Sequence, residues 1–111
     1  MATYLGEFEQ LVLLAVLRLG AGGHPARAPD VARELEARAG RSVSRGPLYT
    51  TLDRLEDKGL IRWKLAAGTE VRDGLPMRLY SVTPGGLAAL RASRDVLRRM
   101  WRGLEAALGA E

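Results

Sequence analysis

The sequence predicts a mainly α-helical chain with a small two-stranded β ribbon, and three observations support this fold class. Apolar residues recur with helical spacing in several segments, the pattern alternates directly after Gly59, and the C-terminal segment carries apolar residues at heptad spacing. The chain has 111 residues, of which 47% are hydrophobic. A chain of this length and composition forms one domain with a modest core, which oligomerisation would extend.

A helix with a defined beginning and end is predicted between Ser44 and Gly59. The hydroxyl of Ser44 can accept a hydrogen bond from the first turn, so this residue is the predicted N-cap. Gly59 is the predicted left-handed residue at the C-terminal end. Apolar residues at i, i+4 and i+7 place one face of the helix in the core: Leu48, Leu52 and Leu55.

The opposite face of this helix suggests a use. Gly46 and Thr50 are small residues near the N-terminus, and Asp53, Arg54 and Asp57 follow on the same face. A helix end with small side chains can enter the major groove of a DNA duplex, with phosphates near the N-terminal dipole. The two acids limit such contact to the first two turns. An ordinary amphipathic surface helix would show the same pattern.

Two further helices are predicted before the central one. Residues 7–19 are apolar nearly all round, which indicates a central helix or one covered by a second subunit. After a glycine-rich loop, Pro29 at a first helical position opens a helix that extends to about Ala39. Residues 40–43 then form a short turn. Helix, short turn and helix is the helix-turn-helix pattern, which many helical hairpins share without binding DNA.

The residues directly after the central helix predict a β ribbon. Apolar residues alternate with basic ones over residues 61–65, and those expected to be buried are Ile61, Trp63 and Leu65. A loop over residues 66–76 leads to a second strand over residues 77–82. A ribbon in this position is a wing, and its basic residues either contact phosphates or are only solvated: Arg62, Lys64, Arg72 and Arg78. Residues 1–83 therefore predict a winged helix-turn-helix domain.

A long dimerisation helix is predicted for the C-terminal segment, residues 84–111. Thr83 followed by Pro84 is a strong helix start, and the helix can extend to about Leu108, a length of roughly 37 Å. So long a helix has too little of the domain to pack against. A second copy of the chain would bury its apolar seam, which consists of Leu87, Leu90, Leu97, Trp101, Leu104 and Leu108.

The composition argues against several classes of function. The chain has no cysteine, so we expect a cytoplasmic protein without disulfides or thiolate chemistry, and no apolar run is long enough to span a membrane. The one histidine, His24, lies in a predicted loop without a second ligand, so no catalytic residue, metal or cofactor is expected. The net charge of +4 divides into −1 over residues 1–40, +3 over 41–80 and +2 over 81–111, as in a protein that binds nucleic acid.

Three stretches of the sequence together resemble one family. They are Leu5-Gly6-Glu7-Phe8-Glu9-Gln10-Leu11-Val12-Leu13-Leu14, the pattern Ser44-x-Gly46-x-Leu48-Tyr49-x-x-Leu52-x-x-Leu55-Glu56-x-x-Gly59-Leu60, and Leu79-Tyr80-x-Val82-Thr83-Pro84-x-Gly86. In this order, and over nearly the whole chain, they are similar to the PadR-like transcriptional regulators. The resemblance is to the short members of that family, which have a single C-terminal helix.

The resemblance implies a homodimer that binds double-stranded DNA, usually as a repressor at a pseudo-palindromic operator. It also implies that Tyr49 contacts a DNA phosphate. Several members of the family respond to small phenolic or hydrophobic compounds bound near the dimer interface. A small hydrophobic or aromatic effector is therefore a candidate partner, and the residues expected to contact it are Trp101, Phe8 and Leu11. Trp101 is otherwise only a large residue of the dimer seam.

The predicted function is sequence-specific regulation of transcription by a homodimeric repressor. The residues predicted to contact DNA are Ser44, Arg45, Gly46, Tyr49, Thr50, Arg54, Arg62, Lys64, Arg72 and Arg78. The alternative is a dimeric winged-helix module that binds another protein and no DNA, which the acids Asp53 and Asp57 favour. An enzyme is not expected, because the sequence contains no nucleophile elbow, phosphate-binding loop or metal-ligand cluster.

Overall fold

The computed structural model describes residues 5–66, 71–72 and 75–109, and for residues 71, 72, 75 and 76 it describes the backbone. Its elements in chain order are α1 (Glu7–Ala21), α2 (Ala28–Ala39), α3 (Arg45–Asp57), β1 (Ile61–Leu65), β2 (Val71–Arg72), β3 (Leu75–Pro76), β4 (Arg78–Val82), α4 (Pro84–Trp101) and a 3-10 turn over Glu105–Leu108. The predicted class, mainly helical with a small antiparallel ribbon, is confirmed.

Helix α1 lies at the centre of the fold, as its apolar surface predicts. It packs against α2, α3, α4 and β4. Val12, Leu13 and Val16 are fully buried among these elements. Leu14 is exposed, so one side of α1 remains uncovered within the single chain.

Acidic side chains stabilise the beginnings of α1 and α2. The backbone N–H of Gly6 donates to Oε1 of Glu9 at 3.1 Å, and the N–H of Arg27 donates to Oδ2 of Asp30 at 3.1 Å. Each acid is the third residue of its helix, where a carboxylate can satisfy the N-cap N–H and also favour the positive end of the helix dipole. Helix α2 begins at Ala28, one residue before the predicted start, and ends at Ala39, followed by the C-cap Gly40, whose φ is 65°.

Helix α3 ends in a tight left-handed turn at Gly59, as predicted. The φ of Gly59 is 76°, a value that a residue without Cβ adopts at little cost. The N–H of Leu60 donates to the carbonyl of Leu55 at 3.0 Å, and the N–H of Gly59 donates to that of Glu56 at 2.8 Å. These are the two bonds of a Schellman motif, and its usual apolar contact is supplied by two buried residues, Leu55 and Leu60.

Strands β1 and β4 form the predicted antiparallel ribbon. Ile61 lies opposite Val82, Trp63 opposite Tyr80, and Leu65 opposite Arg78. Ile61 is buried, but Leu65 is 52% exposed, so the prediction that Leu65 is buried was wrong. The reason is its position at the outer end of the ribbon, where the opposite residue is also exposed.

The segment predicted as a loop contains more structure than expected. The N–H of Ala66 donates to the carbonyl of Met77 at 2.8 Å and so continues the β1–β4 ladder. Beyond it, β2 and β3 pair with each other, with Val71 opposite Pro76 and Arg72 opposite Leu75. The prediction of a continuous loop over residues 66–76 was therefore wrong for these strands. Periodicity cannot reveal strands of two residues.

Helix α4 begins as predicted but ends earlier. The Oγ1 of Thr83 accepts a hydrogen bond from the N–H of Gly86 at 3.0 Å, which caps the first turn. The helix stops at Trp101 rather than near Leu108, because the chain turns at Arg102, where ψ is 126°, and at Gly103, whose left-handed φ of 86° suits glycine. Helix α4 is therefore about 27 Å long. Leu104 and Leu108, which were predicted to continue its seam, lie outside it.

The backbone of α4 approaches the start of β1 very closely at Gly86. A Cβ atom on this residue would lie 2.2 Å from the carbonyl oxygen of Leu60 and 2.7 Å from Cγ1 of Val82. Gly85, its neighbour in the same turn, has space, since the nearest atom to its Cβ would be the carbonyl oxygen of Gly59 at 3.5 Å. Of these two glycines, Gly86 is therefore the one at which packing requires a residue without a side chain.

We expect Gly86→Ala to lower the free energy of unfolding by about 2–3 kcal/mol, because a backbone carbonyl has to move to admit the methyl group. The matched control is Gly85→Ala, which should leave stability unchanged or raise it by up to about 1 kcal/mol through helix propensity. Urea unfolding of both variants at one protein concentration measures the difference. Equal stability of the two variants would contradict the close contact at Gly86.

Candidate nucleic-acid interface

Helix α3 has one buried and one exposed face, as predicted. The buried residues are Leu48, Thr51, Leu52 and Leu55, of which Thr51 was not among those predicted. The residues predicted to face away are all exposed: Gly46, Thr50, Asp53, Arg54 and Asp57. The core therefore holds α3 along one side and leaves the other side free within the chain.

The N-terminal end of α3 differs from those of the other helices. Ser44 occupies the N-cap position, but its hydroxyl makes no capping hydrogen bond, so that part of the prediction was wrong. The first turn of α3 contains no acidic residue, whereas α1 and α2 each have at least one there, and α4, which also has none, is capped by Thr83. Among the residues that the structure describes, the backbone N–H groups and the dipole at this end thus have no anionic partner, which favours an external anion.

The surface around this helix end is small and basic. Gly46 is exposed, and a Cβ atom on it would meet no atom within 4 Å. Arg45 and Thr50 are also exposed. An approaching surface can therefore come close to the backbone of the first turn and meet an arginine beside it.

Two tyrosines lie beside this face at different depths. Tyr49 is 38% exposed on the flank of α3. Tyr80 of β4 is buried, and its hydroxyl has no hydrogen-bond partner among the residues that the structure describes. Burial raises the pKa of Tyr80, the nearby Arg78 opposes that shift, and Tyr49 and Asp53 add to it. Tyr80 is therefore a neutral core residue, and of the two only Tyr49 is accessible to a partner.

A partly buried ion pair connects the start of α1 to the end of α3, with Glu9 buried and Lys58 nearer the surface. Oε2 of Glu9 accepts a hydrogen bond from Nζ of Lys58 at 2.8 Å, and only 9% of the Glu9 side chain is exposed. Burial by itself would raise the pKa of Glu9, but the hydrogen bonds from Lys58 and the Gly6 N–H, together with the charges of Lys58 and Arg54, lower it below 4.5. Arg54, a predicted DNA contact, thus lies close enough to Glu9 to influence its ionisation.

The basic residues of the ribbon do not share one face. Arg62 and Lys64 are exposed and alternate with Ile61 and Trp63, which face the core. The guanidinium of Arg78 lies 4.1 Å from the centre of the Trp63 ring, so Arg78 belongs to the opposite face from Arg62 and Lys64. The Trp63 Nε1–H donates to Oε2 of Glu56 at 3.0 Å and ties the ribbon to α3. The side chain of Arg72 lies outside the part that the structure describes.

The surface of α4 carries a broad apolar strip. Leu87, Leu97 and Trp101 of the predicted seam are exposed, while Leu90 packs partly against the core. Two more exposed apolar residues, Val96 and Met100, were missed by the sequence analysis. Val96 and Met100 are four residues apart and directly precede Leu97 and Trp101 in the sequence. This helical spacing of apolar residues is the signal that would have identified them. The seam within the helix is thus wider and shorter than predicted.

Phe8 and Leu11, which were named as contacts for an effector, and His24, the one histidine, differ in burial. Phe8 and Leu11 are partly buried against the core, and the Arg41 guanidinium lies 5.7 Å from the centre of the Phe8 ring. His24 is exposed. Within residues 5–66, 71–72 and 75–109, no three His, Cys, Asp or Glu residues are grouped as a metal site would need. No helix in these ranges has the length and hydropathy needed to cross a membrane.

Together, the helix-turn-helix formed by α2 and α3, the β1–β4 ribbon and the projecting α4 define a winged-helix protein. The sequence model of the family described as "Transcriptional regulator PadR-like family" matches residues 16–92. The chain therefore belongs to this family of transcriptional regulators, and the family that the sequence resembles is confirmed.

Individual proteins agree with this assignment. The transcriptional regulator Rv3488 of Mycobacterium tuberculosis is 44% identical over 66 residues, which cover 60% of this chain but only 58% of that protein. A PadR-like transcription factor from Bacteroides fragilis has a similar structure, with a TM-score of 0.72 and 23% identity over 87% of this chain and 85% of that one. A PadR-like regulator from Bacillus cereus has a TM-score of 0.70 and 20% identity over 94% and 93% of the two chains. These two structures support the fold.

We expect Glu9→Gln to lower the free energy of unfolding at neutral pH by about 1.5–3 kcal/mol, because it removes a charged hydrogen bond from a buried site. The pKa of Glu9 is lower in the folded than in the unfolded chain, so this stabilisation is present above pH 4.5 and is lost as the pH falls through the folded value. Urea unfolding across that range should show the two proteins converge in acid.

The matched control for this change is Glu7→Gln. Glu7 pairs with Arg41 at 2.7 Å, but 79% of its side chain is exposed, so its loss should cost at most about 1 kcal/mol. Equal losses for the two variants at neutral pH would show that burial gives the Glu9–Lys58 pair no special role.

Proposed function

We propose that this protein is a homodimeric repressor that binds a specific DNA sequence through the N-terminal half of α3. One observation carries the proposal: the exposed start of α3 has no capping bond from Ser44 and no acid in its first turn. Donors and a positive dipole left free in this way match the phosphate groups of a duplex. Membership of a family of transcriptional regulators supports the same conclusion.

The proposed contacts divide into phosphate and base contacts. Ser44 and Arg45 lie at the exposed start of α3, and Tyr49 is accessible on its flank, so we assign these three to phosphates. Gly46 allows the helix to approach the groove floor, and Thr50 and Arg54 are the candidates for base edges. Arg54 is in the third turn, so its contact would come from the reach of its long side chain.

The ribbon would add contacts to the sugar-phosphate backbone. Arg62 and Lys64 share its outer face and are the main candidates. Arg78 stacks on Trp63 at the other face, so its role would be separate from theirs. Arg72 remains a proposed contact on sequence grounds alone.

Dimerisation through α4 would place two copies of α3 on one operator. The exposed apolar residues of α4 include Leu87, Leu97, Met100 and Trp101, and Met100 is 70% exposed in the single chain. A second chain is the simplest way to cover them. In a two-fold dimer the two helices would enter successive major grooves about 34 Å apart. Binding over a promoter in this way would block transcription.

Release by an effector would act through the same dimer. A small hydrophobic or aromatic compound that prefers a dimer with the wrong distance between the α3 helices would shift the population away from DNA. Trp101, at the exposed end of α4, offers an aromatic surface for such a compound, and Phe8 and Leu11 are the other proposed contacts.

A protein-interaction module is the second candidate function. Asp53 and Asp57 are exposed on α3, and neither has an ion-pair partner among the described residues. Two unpaired acids near a duplex are repelled by its phosphates, whereas a basic protein surface would attract them. A DNA-binding measurement separates the two functions.

The first experiment is to select duplexes from a random library with the purified protein and to measure affinity at two salt concentrations. We expect a log-log salt slope of several negative units, since each neutralised phosphate releases counterions. Gly46→Ala should weaken binding about tenfold or more by holding the helix away from the groove. The same change should raise stability by up to about 1 kcal/mol, since alanine has a higher helix propensity than glycine and the added Cβ would meet no atom within 4 Å.

Gly20→Ala is the matched control for this variant. Gly20 is also an exposed helical glycine with no atom within 4 Å of the added Cβ, but it lies in α1. The Gly20→Ala variant should gain a similar amount of stability and should bind DNA with the affinity of the wild type. Binding that is independent of salt, or that random DNA abolishes, would favour the interaction module over the repressor.

We expect Leu97→Glu to dissociate the dimer, because the charge would be buried in the proposed α4 interface. Arg99→Glu is the control, since Arg99 is exposed on α4 about 160° around the helix from the seam position. Sedimentation equilibrium at micromolar concentration measures the state of each variant. A dimer that survives Leu97→Glu but not Arg99→Glu would place the interface elsewhere.

A further inference from the structure

We propose that Thr83 is a positioning residue that fixes the angle between α3 and α4, and through it the distance between the two α3 helices of the dimer. The inference rests on the proposed function, because it takes α4 as the dimerisation helix and α3 as the helix that enters the groove. It goes further by assigning control of operator spacing to one side chain that is not among the residues proposed to contact the DNA or the second subunit.

Three hydrogen bonds hold Thr83 between the two helices. Its hydroxyl donates to the carbonyl of Gly59 at 2.7 Å and accepts from the N–H of Gly86 at 3.0 Å. Its own N–H donates to the carbonyl of Leu60 at 3.1 Å. Gly59 and Leu60 form the Schellman turn that ends α3, while Gly86 is in the first turn of α4. One hydroxyl therefore joins the end of one helix directly to the beginning of the other.

The packing at Gly86 removes the freedom that hydrogen bonds alone would leave. Because the space for a Cβ atom is filled by the Leu60 carbonyl, the two backbones lie as close as the chain permits. A rotation or slide of α4 at this point would press its backbone against the turn. The contact thus fixes the position of α4, and the Thr83 hydroxyl fixes its direction.

Apart from its buried residues, α4 is held by partly buried contacts, such as that of Leu90 with the core, and by its packing against α1. Gly86 and Ala89 are its only buried residues, and both lie in its first two turns. A rotation of about 10° at the base of a helix about 27 Å long moves its far end by about 5 Å. The rise of DNA is roughly 3.4 Å per base pair. A small change at Thr83 is therefore enough to misplace the second α3 by more than one base pair.

A direct test measures the distance between the two α3 helices in the dimer without DNA. The chain has no cysteine, so Asp57→Cys introduces a single site for a spin label on the exposed face of α3. Pulsed electron paramagnetic resonance should give a narrow distance distribution in this background. Thr83→Val, which keeps the shape but removes the hydroxyl, should broaden or shift it, and Thr83→Ser should restore it.

Thr83→Asp separates positioning from simple helix capping. An aspartate can accept from the Gly86 N–H and remains a good N-cap for α4, but as a carboxylate it cannot donate to the Gly59 carbonyl. We expect this variant to fold and dimerise while the distance distribution broadens as in Thr83→Val. It also carries the test if Thr83→Val does not fold.

The second readout is the preference for operator spacing. With a selected palindrome, the wild type should lose at least tenfold in affinity when one or two base pairs are added or removed between the half-sites. The affinity of Thr83→Val and that of Thr83→Asp should each change less than threefold across the same series of spacings. Thr83→Ser should show the spacing preference of the wild type. A variant that was only less stable would keep the wild-type preference at a temperature where it is folded.

The outcomes separate this inference from the proposed function. Folded, dimeric Thr83→Val and Thr83→Asp with the wild-type distance distribution and spacing preference would overturn the role of Thr83, even if DNA affinity fell. A wild-type protein that is dimeric but binds no specific DNA would refute the repressor, and the label distances would still decide the role of Thr83. A monomeric wild type would refute both.

Discussion

The left-handed turn at Gly59 is the constraint on which the arrangement of the other elements depends. It closes α3, and it presents the carbonyls of Gly59 and Leu60 to Thr83, whose side chain and backbone begin α4. The same turn leads directly into β1, so the ribbon and α4 take their directions from a single point. A left-handed residue at this position requires glycine in practice, since a Cβ atom would strain the backbone.

The charges of the molecule are arranged so that the start of α3 stays free. Glu9 and Asp30 satisfy the starts of α1 and α2, and Glu9 also binds Lys58 at the opposite end of α3. In the described part of the chain, these acids therefore stabilise the scaffold, and none lies in the first turn of α3. Arg45 stands beside that free helix end. The charged groups named in the scaffold are thus paired with each other, whereas the start of α3 presents positive charge to the solvent. Such a surface attracts a polyanion.

The exposed apolar surface of α4 and the exposed face of α3 are two features of the described residues that a partner could cover. In a regulator they are complementary, because a partner that covers α4 doubles the number of α3 ends available to one DNA molecule. The joint at Thr83 lies between them and touches both helices. If this joint is rigid, a conformational change caused by an effector would occur at the interface between the two chains and not at the base of α4.

Local chemistry determined much of this protein from the sequence alone. The N-cap at Thr83, the left-handed end at Gly59 and the buried stripe of α3 depend on residues within one or two turns, so spacing was enough to predict them. The early end of α4 also depends on a nearby residue, Gly103, which is visible in the sequence. The prediction nevertheless followed the heptad pattern and extended the helix too far.

Only the tertiary structure decided which polar groups meet. Glu9 and Lys58 are 49 residues apart, and Arg78 and Trp63 lie on different strands, so no periodicity connects them. The exposure of Leu65 and the free hydroxyl of Ser44 likewise depend on where neighbouring elements end. Spacing along a chain defines the face of an element, but the register and the close contacts of separate elements define what each face meets.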